Sequence, residues 1–131
     1  MRIGNPQWLH DGMLKDQSED SWTGERKTDD YWGYTWPKTL HVNKLRYTNG
    51  RKTAEGGWFD ELTVQVRHEG EWIAATNVHV EPTYPHDVSL PDYTTFTLSF
   101  DEVATDGVRL FGKPGGSGSF TSIAELSAHY E

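Results

Sequence analysis

Hydrophobic and polar residues alternate with a period of two through much of this chain. In "TVQVRH" (63–68) Val64 and Val66 alternate with Thr63, Gln65 and Arg67, and in "YTTFTLSF" (93–100) Phe96, Leu98 and Phe100 alternate with threonines and Ser99. Successive side chains of a strand point to opposite faces, so each stretch predicts a strand with one buried face. "TLHVNKLRYT" (39–48), "EWIAATNV" (71–78), "GVRLFG" (107–112) and "SIAELSAHY" (122–130) predict further strands. The segments between them, "TNGRK", "HEGE", "PTYPHD", "TDG" and "KPGGSGS", hold the Gly, Pro, Asn and Asp residues that favour turns and loops. "HEGE" (68–71) is short enough to close a hairpin. Residues 1–30, rich in Asp, Ser, Gly and Lys, predict a long loop around one short strand or helical turn. About seven short strands with spaced turns predict an all-β fold, an antiparallel β-sandwich whose loops gather at the sheet ends.

Composition sharpens this picture. Hydrophobic residues make up only 34% of the 131 residues, yet aromatics reach 13% with six Trp, so aromatic rings supply much of the packing area. In "YWGYTW" Trp32, Tyr34 and Trp36 share one face, which predicts core, while Tyr31, Gly33 and Thr35 take the other. Trp22 and Trp72 are read as structural. A length of 131 residues fits one domain with a single core, residues 1–131 together. The net charge of −8 carries no electrostatic footprint for a phosphate backbone, which argues against nucleic acid. There is no cysteine, hence no disulfide framework and no thiolate metal site. No apolar stretch approaches the roughly 18 residues of a membrane span, which argues against membrane insertion. "MRIGNPQWLHDG" contains no signal-peptide core, and the chain reads as a module excised from a larger protein.

The chemistry-bearing candidates lie mostly in the loops. Gly56 and Gly57 precede Trp58 and Phe59, and two readings stand side by side. Either a ring faces solvent as a flat apolar platform for a sugar, or Trp58 and Phe59 begin a strand and pack inward. Tyr84, held between Pro82 and Pro85 and followed by His86 and Asp87, is either a stiff exposed ring with polar neighbours or a pin for its loop. Arg51 and Glu55, with His10, Lys52, Asp60 and Arg67, lie in or near loops, where an arginine fork can bond vicinal hydroxyls. Arg109, inside an apolar strand, pairs with a carboxylate or meets a ligand. An enzyme is the rival class. Asp29 with Asp30 and Asp60 with Glu61 are adjacent, so on strands they point apart, and the scattered histidines make no helical zinc pair. No nucleophile elbow, phosphate loop or dinucleotide fingerprint occurs in the sequence.

The span from "YTNGRKTAEGGWFDELTVQVRH" to "EPTYP", followed by "DGVRLFGKPGGSGSFTSIAELSAHYE", resembles the discoidin or coagulation-factor type C superfamily, in particular carbohydrate-binding modules of family 32. The early Asp11, Gly12, Ser21 and Trp22 belong to the same likeness, although "DGMLKDQSEDSW" is longer than the family's usual segment. The resemblance implies a galactose-binding-like jelly roll of about eight strands. It also implies a non-catalytic, monomeric module that binds an oligo- or polysaccharide, tethered to a secreted or cell-surface protein of bacterial type. A discoidin-type protein-binding domain and a small glycan-active enzyme are the alternatives. From their loop positions, Trp58, Phe59, Tyr84, His86, Glu55 and Arg51 are the expected ligand contacts, at one sandwich end formed by the 50–59 and 82–87 loops, with the glycine-rich 113–119 loop either a third contributor or only a permissive connection. The resemblance further implies a structural calcium between Asp11 and Glu125; Asp16, Ser18, Asp20 and Ser21, in the same acidic loop, either add ligands or belong to a solvated acidic segment, and calcium takes six to eight oxygens and tolerates irregular loops. Glu125 shares the parity of Ile123, an apolar face on which a carboxylate needs a partner.

Overall fold

The computed structural model describes residues 19–20 and 29–130. The described chain is all-β and mostly antiparallel. Its strands are β1 (Glu19–Asp20), β2 (Asp30–Thr48), β3 (Phe59–His68), β4 (Glu71–Ala74), β5 (His79–Glu81), β6 (Thr95–Pro114), β7 (Ser122–Ile123) and β8 (Glu125–His129). Six of them form one sheet in the order β4-β3-β6-β2-β8, with β5 paired to β6, and β1 pairs with β7.

Two long strands organise this sheet. β2 merges the predicted "YWGYTW" and "TLHVNKLRYT" strands, and β6 merges "YTTFTLSF" with "GVRLFG" across the "TDG" that reads as a turn. The two run antiparallel, and the ladder shifts register between Thr35 and Leu40, which pair with Gly107 and Thr105. Pro37 falls in that shift, where its missing N–H deprives no ladder bond. Thr105 supplies what a turn would otherwise need. Its buried hydroxyl lies 2.6 Å from the Arg67 carbonyl and 2.9 Å from the Gly107 carbonyl, and it accepts from the Arg67 N–H at 3.1 Å. Beyond the shift the neighbours change: the 108–114 part of β6 pairs with β3, whereas residues 97–99 pair with β5, and residues 44–48 of β2 pair with β8.

The inward residues of both parts share one core, among them Trp32, Tyr34, Leu45, Tyr47, Val64, Val66, Phe96, Leu98, Val108, Leu110 and Leu126. Buried aromatic tips are bonded, as their desolvation requires. Tyr34 donates to the Leu126 carbonyl, Tyr47 to the Ser122 carbonyl at 2.6 Å, and the Trp32 indole to Thr121 at 2.9 Å. Thr121 in turn donates to the buried Asp30 at 2.7 Å. Trp36, predicted as core, is half-buried against it and donates its indole N–H to the Thr105 carbonyl at 3.0 Å. The "HEGE" hairpin is present: His68 pairs with Glu71, and Glu69 and Gly70 both take positive φ, 50° and 81°.

Candidate functional site

The loop end of the sheet is assembled by glycine. Gly57, at φ 113°, lies where a Cβ would meet the Lys52 Cα at 2.6 Å, and a Cβ on Gly116 would meet the Glu55 carbonyl oxygen at 2.3 Å. The 50–57 and 113–120 segments are therefore in backbone contact, tied by Gly118 N–H to Glu55 O at 2.7 Å and Gly57 N–H to Phe120 O at 2.8 Å. Gly56 and Gly57 serve this approach.

The rings that follow go inward. Trp58 is 6% exposed, Phe59 0% and Tyr84 3%, so none of the three is a solvent-facing platform. Each has a packing reason. The Trp58 indole lies beneath Gly115, where a Cβ would meet Nε1 at 2.1 Å, and its N–H reaches Asp60 at 3.2 Å. Phe59 meets the Tyr47 ring edge-on at 6.4 Å. Tyr84 packs on Phe96 at 5.0 Å, and its hydroxyl accepts the Phe59 backbone N–H at 2.8 Å. Burial pushes the Tyr84 phenol above its ordinary value, against the lowering effect of the Phe59 N–H.

Arg51, Glu55 and His86 are exposed. Arg51 donates through Nε to the Tyr93 hydroxyl at 3.0 Å, and the Lys52 N–H donates to Asp92 at 3.0 Å, so the 90–93 turn joins this end. The Glu55 carboxylate accepts from Thr53 at 3.3 Å. His86 packs on the edge of Tyr84 at 4.9 Å. Tyr93 is the residue that the alternation misassigned. It opens the "YTTFTLSF" run, yet β6 begins at Thr95 and Tyr93 sits in the preceding turn at φ 54°. Its signal is the "LPDY" that precedes it, a turn-forming Pro-Asp pair. Arg51 with Tyr93 offers a donor fork beside a phenol, and Glu55, four residues along the same loop, offers an acceptor, groups of the kind that bond sugar hydroxyls.

Of the calcium candidates, Asp11, Asp16 and Ser21 lie outside the described residues, as do Ser18 and the side chain of Asp20. Glu125 is described, and its parity with Ile123 does not hold. Ala124 interrupts the strand between β7 and β8, its N–H bonded to the Thr48 carbonyl at 2.8 Å. Leu126 therefore faces the core, and Glu125 faces outward opposite Thr48, half-buried in a cleft with Arg46, Thr95, Ser127 and His129. Among the described residues no three His, Cys, Asp or Glu side chains are grouped to hold a metal. One carboxylate beside an arginine does not make a calcium shell of six or more oxygens. Glu125 needs partners from the 11–21 segment for that role.

A second polar concentration lies on the outer sheet face. Arg109 on β6 is stacked among rings, its Cζ 4.4 Å from the Tyr31 centroid, 4.4 Å from Trp72 and 5.0 Å from Phe111. Its Nε donates to Gln65 at 2.8 Å. Gly33 opposite allows this, because a Cβ there would meet the Arg109 Cβ at 2.4 Å. Burial lowers the Arg109 pKa from its ordinary value, against the opposing effects of Tyr31 and Asp29. Trp72, read as structural, is half-exposed and forms one side of this cation–π group.

No family model matches this sequence, and no curated protein sequence matches it either. Solved structures do. A chain from the Streptococcus pneumoniae β-galactosidase BgaA superposes with a TM-score of 0.76 at 9% identity, over 95% of this chain and 80% of that one. The family 32 carbohydrate-binding module of C. perfringens NanJ, solved with galactose, gives 0.64 at 18% identity, over 94% and 82%. Chitosan-binding module 1 of a Paenibacillus sp. IK-5 chitosanase/glucanase gives 0.64 at 15% identity, over 96% and 85%. At these identities the likeness is one of fold: this chain has the fold of family 32 carbohydrate-binding modules.

Proposed function

We propose that this chain is a non-catalytic carbohydrate-binding module that holds an attached glycoside hydrolase or surface protein against a glycan. The observation that carries the reading is the fold, shared over nearly the whole chain with modules solved with galactose or described as chitosan-binding. The ligand site is the loop end where the 50–57, 90–93 and 113–120 segments meet. Its contacts are Arg51, Tyr93 and Glu55, with His86 at the edge; Trp58, Phe59 and Tyr84 support them from the core. The chain acts as one monomeric module, residues 1–131, in a secreted or cell-surface bacterial protein. The jelly-roll closure and the structural calcium belong to the same proposal. The fold likeness and the change of neighbours along β2 and β6 support the closure, and the resemblance in "DG" and Glu125 supports the calcium.

Single sites of this kind bind weakly, about 4 to 6 kcal/mol, so avidity in the parent protein matters. A glycan array probed with the wild-type chain beside Arg51→Ala and Tyr93→Ala tests the reading. The expected result is binding to a galactose- or glucosamine-type glycan that falls about tenfold or more in each variant at unchanged melting temperature. Binding of a protein partner with no competition by free sugars favours the discoidin-type alternative instead.

A further inference from the structure

On the outer face of β2, β6, β3 and β4 a cleft of about 200 Å³ is lined by Tyr31, Gly33, Thr35, Arg67, Trp72 and Arg109. Along β3, Arg67 is eight residues from Phe59 at the loop end, roughly 26 Å of extended strand. The cleft is thus separate from the site of Arg51. We propose that it binds the carboxylate of an acidic sugar unit of hexuronate type, as a second glycan subsite. This inference rests on the carbohydrate reading and adds a charge preference to it.

Arg109 and Arg67 carry the argument. Three rings and Gln65 already immobilise the Arg109 guanidinium, so little side-chain entropy remains to be lost on binding. Nε is its bonded donor, and the Nη hydrogens find no acceptor among the described residues. Arg67 reaches the same cleft from β3, with its backbone clasped by Thr105. Its Nε is buried and has no hydrogen-bond partner among the described residues; the Asp106 oxygen is 3.8 Å away, beyond hydrogen-bond reach. The Arg67 side chain is 36% exposed, so its charge is open to the cleft although Nε itself is covered. Two guanidinium groups on one cleft form a cationic spot on a chain of net charge −8, with Asp106 beside Arg67 and Asp29 acting on Arg109 as the opposing charges. A planar carboxylate matches the arginine fork.

Size and walls point to a sugar. The cleft is smaller than the roughly 300 to 1,000 Å³ of pockets that enclose drug-sized ligands, so it suits one ring with its carboxylate. Tyr31, 37% exposed, and the half-exposed Trp72 flank the arginine with apolar surface for the C–H face of that ring. Thr35 adds a hydroxyl.

Calorimetric titration of the full chain with trigalacturonate, trimeric neutral galactan and acetate tests this, using wild type, Arg67→Gln, Arg109→Gln and Arg51→Ala. Wild type is expected to bind trigalacturonate more tightly than galactan, and to lose that preference with added salt. Arg67→Gln and Arg109→Gln are expected to weaken trigalacturonate about tenfold or more and leave galactan unchanged, with Arg51→Ala showing the reverse pattern. Arg67 lies outside the ring stack, so Arg67→Gln decides the matter even if Arg109→Gln unfolds the sheet. The proposal is overturned if trigalacturonate binds no better than galactan, if Arg67→Gln binds it as wild type does, or if acetate competes as well as the sugar acid. Galactan binding without an acidic preference defeats the cleft alone. Loss of all glycan binding by wild type defeats the carbohydrate reading with it.

Discussion

Tyr84 illustrates how one atom decides between two readings of a residue. Its ring between Pro82 and Pro85 is as compatible with display as with burial, and what settles it is the Phe59 N–H, which finds its acceptor 2.8 Å away in the Tyr84 hydroxyl. Tyr84→Phe removes that acceptor and leaves a buried donor unpaired, a loss of roughly 1 to 3 kcal/mol. Denaturant unfolding is expected to show that loss while glycan affinity stays at the wild-type value; a stable variant that no longer binds would return Tyr84 to the ligand. Trp58 and Phe59 follow the same logic, since the glycines before them serve the contact between two loops and leave no open surface for the rings. Arg51 and Glu55 were legible as loop residues with useful chemistry. Tyr93 was hidden because alternation assigned it to a strand that begins two residues later.

At the level of elements, the period-two pattern located nearly every strand, and it failed where a strand continues through a turn-like sequence. "TDG" is interior to β6 because Thr105 satisfies the backbone groups around the register shift. The pattern also failed at Ala124, where the break between β7 and β8 inverts the parity of Glu125. Sequence parity presents Glu125 as a carboxylate stranded on an apolar face, whereas in the fold it is on the outer face opposite Thr48. A calcium role for it then depends on the segment holding Asp11, Asp16 and Ser21. If that calcium is present, excess Ca²⁺ at about 100 times its dissociation constant stabilises the chain by about 2.7 kcal/mol. The melting temperature is expected to fall on chelation with EDTA, and to fall less in Glu125→Gln. A melting curve indifferent to both EDTA and Ca²⁺ would remove calcium from the proposal.

Across the whole molecule, the core is aromatic and its phenols are kept neutral. Burial raises Tyr34, Tyr47 and Tyr84 above their ordinary pKa, helped at Tyr34 by Glu125, at Tyr47 by Tyr84 and Asp30, and at Tyr84 by Asp60. A raised folded-state pKa contributes stability that is complete below the unfolded value near 10 and is lost as pH rises above it. Three such groups make stability fall by up to about 4 kcal/mol per pH unit beyond pH 10. Phenolate absorbance is expected to rise first for the remaining tyrosines and then cooperatively with unfolding; ionisation of all six tyrosines in a folded chain would contradict this burial. The sequence by itself determined the all-β class, most strand positions and the inward face of "YWGYTW", because those follow from local alternation and turn chemistry. It also contained the resemblance that the shared fold supports. Which rings are covered, that Arg109 lies between Tyr31 and Trp72, and which way Glu125 faces were decided only by the tertiary structure. Those outcomes depend on register and on close approaches between segments far apart in the chain, which a period of two does not encode.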